Sequence, residues 1–152
     1  FFNTTGASNT AVGNAAMYNN KTACYNSAFG GGALHGNTTG ASNTAAGYMA
    51  LHSSTTGDYN TGLGHNAGSN LLTGDNNIMI GYNAQASSTS VSNEVTIGDV
   101  NMAKVRVPGL NGFELRDSGN SLIFSLNDSD LMKLDVNGNL TLKGDITAFG
   151  TI

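Results

Sequence analysis

The stretches Asn9-Thr10-Ala11-Val12-Gly13, Asn26-Ser27-Ala28-Phe29-Gly30, Asn43-Thr44-Ala45-Ala46-Gly47, Asn60-Thr61-Gly62-Leu63-Gly64 and Asn77-Ile78-Met79-Ile80-Gly81 return every 17 residues with no insertion. Glu94-Val95-Thr96-Ile97-Gly98 closes the series with Glu in place of Asn. Further columns keep the same spacing: Ala16, Ala33, Ala50, Ala67 and Ala84, and Gly6, Gly40, Gly57 and Gly74 with Ala23 in the second copy. A fixed period across independent columns is the mark of a repeat architecture, so the chain is read first as a stack of 17-residue units.

Within each unit the residues alternate. The slot before the ladder glycine holds Val12, Phe29, Ala46, Leu63, Ile80 and Ile97, and two residues earlier stand Thr10, Ser27, Thr44, Thr61, Ile78 and Val95. Between them lie Ala11, Ala28, Ala45, Gly62, Met79 and Thr96, mostly small enough to admit another backbone. A period of 2 is a β-strand signal; a helix needs 3.6 and would be broken by the glycines and β-branched residues. After the glycine comes a second segment (Ala16-Met17, Ala33-Leu34, Ala50-Leu51), expected as a second short strand, and then an Asn-Thr-Thr-Gly turn such as Asn3–Gly6 or Asn37–Gly40.

Two strands and two turns per 17 residues make one coil of a β-solenoid or β-roll. Successive coils pair in parallel about 4.8 Å apart. Stacking then places the Asn column in a ladder of amides. The ladder glycines are expected where φ is positive or packing is close. Such a coil encloses one large apolar residue, one alanine and one β-branched residue. That burial barely offsets backbone ordering, so a further face is expected to be covered by copies of the chain. The later coils are more hydrophobic (Ile78-Met79-Ile80, then Val95-Thr96-Ile97), as an array closed by its last unit would be.

The period ends at Gly98, which divides the chain into 1–98 and 99–152. Beyond it, alternating segments at Met102–Val107, Gly112–Arg116, Leu122–Leu126, Leu131–Val136, Leu140–Lys143 and Ile146–Phe149 are separated by turn signals, Asn137-Gly138 among them. Their small apolar mass suits a slim intertwined β shaft, with a hairpin at Asn137-Gly138 as the alternative.

Composition narrows the function. Charged residues make up 11% of the chain, Gly is 21 of 152 and Pro only 1, unlike the Pro- and charge-rich composition of disordered linkers. A net charge of −4 with no Lys/Arg cluster argues against nucleic acid. No apolar run approaches the roughly 20 residues of a membrane span. Cys24 is the single cysteine, so no intrachain disulfide framework exists. The opening Phe1-Phe2-Asn3-Thr4-Thr5-Gly6 starts in mid-pattern and reads as part of a longer polypeptide.

The Asn-Thr-Ala-Val-Gly and Asn-Ile-Met-Ile-Gly strands, followed by Glu94–Gly98 and Lys104-Val105-Arg106-Val107-Pro108-Gly109, resemble the head repeats of trimeric autotransporter adhesins. They resemble still more the related repeats of bacteriophage tail fibres. The tail, Leu134-Asp135-Val136-Asn137-Gly138-Asn139-Leu140-Thr141-Leu142-Lys143-Gly144-Asp145-Ile146-Thr147-Ala148-Phe149, is similar to the segment preceding the self-cleaving intramolecular chaperone of tail spikes and fibres.

The resemblance implies a fibrous, all-β, parallel homotrimer of left-handed β-rolls followed by a slimmer trimeric shaft. It implies a structural, adhesive role in host-surface attachment on a virion tail fibre, with a glycan or outer-surface protein as receptor. It implies no cofactor, no enzymatic activity and no membrane insertion, and it makes Ile152 the expected mature C-terminus after chaperone release. A trimeric adhesin on the bacterial surface and a polysaccharide-degrading tail spike are the alternatives.

Candidate site residues are few. Tyr18, His35 and His52 share one repeat slot, so stacking brings the two imidazoles within about 5 Å. They are the candidates for receptor contact, and no third ligand column makes them a metal site. His65 stands in a different slot. Tyr18, Tyr25, Tyr48, Tyr59 and Tyr82 are able to stack on sugars. Asp128 and Asp130 read as turn residues rather than a catalytic pair, and Gly30-Gly31-Gly32 as a turn doubled onto the ladder glycine.

Overall fold

A computed structural model describes residues 3–102, 104–107, 113–117, 121–126 and 129–143. The described residues are all β and turn, with no helix. They fall into two compact units, Phe1–Val100 and Asn101–Ile152. Ile146–Phe149, Ile152 and the Asp128 turn lie outside the described residues, as do the side chain of Asp130 and the ends of several predicted strands.

The first unit is a parallel β-solenoid. Strands β1 (Thr10–Val12), β2 (Ser27–Phe29), β3 (Thr44–Ala46), β4 (Thr61–Leu63), β5 (Ile78–Ile80) and β6 (Val95–Ile97) form one sheet in chain order. Every residue pairs with the one 17 positions on, as in Ala28↔Ala45 and Leu63↔Ile80. The period read from sequence is therefore the step of the solenoid.

The second segment of each coil is not a strand. It is a run of turns, in which Ala16 N–H donates to Gly13 O and Asn20 N–H to Met17 O. Coils are still joined there, since Met17 N–H donates to Ala33 O at 2.9 Å and Leu34 N–H to Ala50 O at 3.0 Å. The cause is backbone hand. Ala15, Met17, Leu34, Met49, Leu51 and Asn66 have φ between 48° and 56°, which ends extended structure. Met17, Leu34 and Leu51 hold that uncommon conformation because their side chains fill the core, where full burial of such a group is worth about 1.5–3 kcal/mol.

The interior also differs from the expectation that a large apolar and a β-branched residue are enclosed. The small slot turns inward: Ala28, Ala45 and Met79 are fully buried, with the alanine column and Met17, Leu34 and Leu51 opposite. The slots on either side turn outward. The reason is space. A Cβ on Gly62 would lie 2.9 Å from both Ala67 O and Leu51 Cγ, so the strand and the turn segment nearly touch across the coil. The apolar residues of the last coil, Val95 and Ile97, likewise lie outside rather than closing the stack.

The asparagine ladder forms, but through the backbone. Asn26 N–H donates to Asn9 Oδ1, Asn43 N–H to Asn26 Oδ1 and Asn60 N–H to Asn43 Oδ1, at 2.8–2.9 Å. Each side-chain Nδ2 donates in turn to the carbonyl 14 residues on, as Asn43 does to Gly57 O at 2.8 Å. One side chain thus binds both the strand and the turn of the next coil, satisfying groups sealed from water. Within this column only Asn77 Nδ2 also reaches a neighbouring side-chain amide, Asn60 Oδ1, at 3.0 Å. Glu94 receives the last rung through its backbone N–H, while its carboxylate accepts from Ser87 N–H and Thr96 Oγ1. Those bonds, Ser87 first, hold the Glu94 carboxyl below its ordinary range.

Within one chain, the described strands of the second unit form an antiparallel meander. Strands β7 (Lys104–Val107), β8 (Phe113–Asp117), β9 (Ser121–Leu126), β10 (Ser129–Asp135) and β11 (Leu140–Leu142) each pair with the next in the chain. The described turn, between the last two strands, is closed by side-chain bonds. Asp135 accepts at Oδ1 from Asn137 and Asn139 N–H and at Oδ2 from Asn139 Nδ2, all at 2.9 Å, while Gly138 turns at φ 81°. That closes the Asn137-Gly138 hairpin between β10 and β11.

Candidate functional site

The shared slot read from sequence becomes a stacked column. Tyr18 and His35 have ring centroids 5.4 Å apart and planes within 5°; His35 and His52 are 4.9 Å apart and within 8°. Coil stacking alone sets that spacing, since neighbouring parallel strands lie about 4.8 Å apart. Burial, and secondarily the facing His35, lower the His52 pKa below 6.5, so its imidazole is held in the neutral form, which both donates and accepts hydrogen bonds. Among the described residues no group of three His, Cys, Asp or Glu side chains could hold a metal ion.

A second column, which the sequence reading did not assemble, follows the ladder glycines. Tyr48 and His65 lie 5.3 Å apart and His65 and Tyr82 5.5 Å apart, both tilted by 31°. The signal was present, because Asn14, Gly31, Tyr48, His65 and Tyr82 keep the 17-residue spacing. Reading His65 alone, rather than its column, hid it. Tyr25 and Tyr59 stand apart from both columns, largely exposed at φ 61° and 58° in a slot otherwise held by Ser or Asn.

Between the two columns lies a cleft of about 240 Å³. Gly31, Gly32, Tyr48, Met49, His35 and His52 line it together with Asn14 and Ala15. None of these side chains carries a carboxylate, an ammonium or a guanidinium group.

The other conspicuous surface is apolar. Along the outer face of the solenoid sheet, Val12, Phe29, Leu63 and Ile80 are 56%, 46%, 50% and 37% exposed, joined by Ile78, Val95 and Ile97. In the second unit Leu122, Leu134 and Leu140 stand opposite one another across three strands and are exposed as well. Cys24 is a free, half-buried thiol whose Sγ accepts from Ala7 N–H. No described helix is long and apolar enough to cross a membrane.

No family model, no curated protein and no solved structure matches the chain.

Proposed function

We propose that the chain is a homotrimeric fibre segment of a phage tail fibre or a similar appendage, structural in role and attaching to a host surface. The observation that supports it best is the outward row of Val12, Phe29, Leu63, Ile80 and Ile97 on a parallel sheet. Soluble monomers seldom leave a continuous apolar strip of this kind uncovered. Copies of one repeat array share one rise per coil, so the same row on each copy meets its counterpart rung by rung. The resemblance of the strands and of the C-terminal segment to tail-fibre repeats supplies the biological setting. The exposed leucine row of the second unit gives the shaft the same kind of surface.

Labelled protein incubated with a panel of bacterial cells tests the reading. Saturable labelling of at least one strain is expected, together with its loss in a Phe29→Asp/Ile80→Asp variant that cannot associate, since linked sites gain avidity. Labelling of no strain, or equal labelling by the dissociated variant, would contradict it.

A further inference from the structure

The column after the ladder glycines lacks one rung. Asn14, Tyr48, His65 and Tyr82 fill it in the first, third, fourth and fifth coils, and Gly31 leaves it empty in the second. Backbone geometry does not require that glycine. Gly31 is outside the positive-φ set that includes Gly30 and Gly32. A Cβ there would meet Tyr48 Cδ2 at 3.4 Å, Tyr48 Cε2 at 3.6 Å and Asn14 O at 3.8 Å, ordinary contacts that leave room for a side chain. The absent side chain leaves two coil steps, roughly 9.6 Å, between the rungs of Asn14 and Tyr48. One face of the Tyr48 ring is covered by His65. The other looks into the gap.

The walls of the gap are those of the 240 Å³ cleft. A Cβ on Gly32 would lie 3.3 Å from His52 Cδ2 and 3.9 Å from His52 Nε2, so an imidazole edge borders the opening. The cleft is below the roughly 300–1,000 Å³ of pockets for drug-sized ligands and is on the scale of a single ring. It offers one aromatic face and flanking imidazole nitrogens, with no carboxylate, ammonium or guanidinium group. A pyranose has matching chemistry, with an apolar C–H face and a rim of hydroxyls.

We propose that the empty Gly31 rung is a binding slot for one uncharged pyranose ring of a surface glycan, stacked on Tyr48 and hydrogen-bonded along its rim by His35 and His52. The slot deepens the attachment reading and rests on it for the choice of a glycan.

The test is saturation-transfer NMR on the full chain, followed by titration with the methyl glycosides of glucose, galactose, mannose, N-acetylglucosamine and N-acetylgalactosamine. Light scattering runs on the same samples. At least one glycoside is expected to bind saturably, with affinity reduced roughly tenfold or more in Gly31→Asn, which copies the first coil, and in Tyr48→Ala, which removes the stacking face. Tyr25→Ser, away from the slot, keeps wild-type affinity. Circular dichroism confirms that Gly31→Asn retains the fold; Tyr48→Ala empties the site instead of filling it and so serves as the independent variant. Binding of none of the glycosides, unchanged binding in a folded Gly31→Asn, or binding of phenol without any glycoside would overturn the slot. An intact trimer whose Gly31→Asn form still labels cells also overturns it while leaving the attachment reading in place. A wild-type chain that binds a glycoside as a monomer overturns the fibre and not the slot.

Discussion

The solenoid and the C-terminal sheet are both built from short strands joined by Gly- and Asn-rich turns, yet they are specified in different ways. In the solenoid, paired strand residues lie 17 positions apart, and the asparagine rungs keep that spacing, as Asn60 N–H to Asn43 Oδ1 does. In the sheet, each strand pairs with its neighbour in the chain, and β10 meets β11 through the turn closed by Asp135. Stacked architecture demands identity between coils: a residue must suit the copy above and the copy below. A meander demands only that each turn close. The same substitution should therefore cost much more in the first region than in the second.

Glycine gives the largest contrast. Gly47 has φ 143°, and a Cβ there would collide with the carbonyl of Gly64 in the next coil. Gly47→Ala is expected to destabilise the solenoid by more than about 4 kcal/mol, or to prevent its folding. Gly138, at φ 81°, has nothing within 4 Å of its Cβ position, so Gly138→Ala should cost only about 1 kcal/mol of backbone strain. Urea denaturation of the two variants checks this; similar midpoints would remove the distinction.

Asn43→Ala ranks next. It leaves Asn60 N–H and Gly57 C=O buried without partners, about 1–3 kcal/mol for each, so a loss of about 2–6 kcal/mol is expected. Asn139→Ala in the exposed hairpin turn removes the bond to Asp135 Oδ2, but water replaces it, and the expected change is below about 0.5 kcal/mol. Thermal melts of both variants measure the difference.

Acid separates the regions more gently. The folded pKa of His52 lies below its ordinary 6.5, chiefly through burial. The unfolded chain therefore binds more protons there. His52's contribution is complete above pH 6.5 and is lost as pH falls through that value toward the lowered folded pKa. A fall in melting temperature between pH 7.5 and 5.0 is expected, flattened by His52→Ser. Asp135, lowered from 3.8 first by its bond from Asn139, responds only below about pH 4, through the same linkage with its contribution present above 3.8. An equal response of His52→Ser and wild type would remove His52 as the cause.

Legibility followed the same divide. The 17-residue step, the strand positions and the Asn column were readable because stacking forces identity onto the sequence. The inward face was not. Hydropathy favours Val12, Phe29 and Ile80, but the narrow coil admits only residues such as Ala28 and Ala45 beside Ala33 and Leu34. Nor did Met17, Leu34 and Leu51 announce their left-handed backbone, which burial imposes on residues that rarely adopt it alone. Of the cleft, His35 and His52 were visible as a shared slot. The gap at Gly31 was not, because an empty position stands out only once its column has been aligned with Tyr48, His65 and Tyr82.

Self-association through the outward strand face is the claim on which the functional reading depends. Sedimentation equilibrium of the purified chain at micromolar concentration measures it directly. The account predicts a single species of three times the 15.5 kDa chain mass, reduced to one chain by Phe29→Asp/Ile80→Asp with the solenoid's circular dichroism retained. A folded wild-type chain sedimenting as a 15.5 kDa monomer would contradict it.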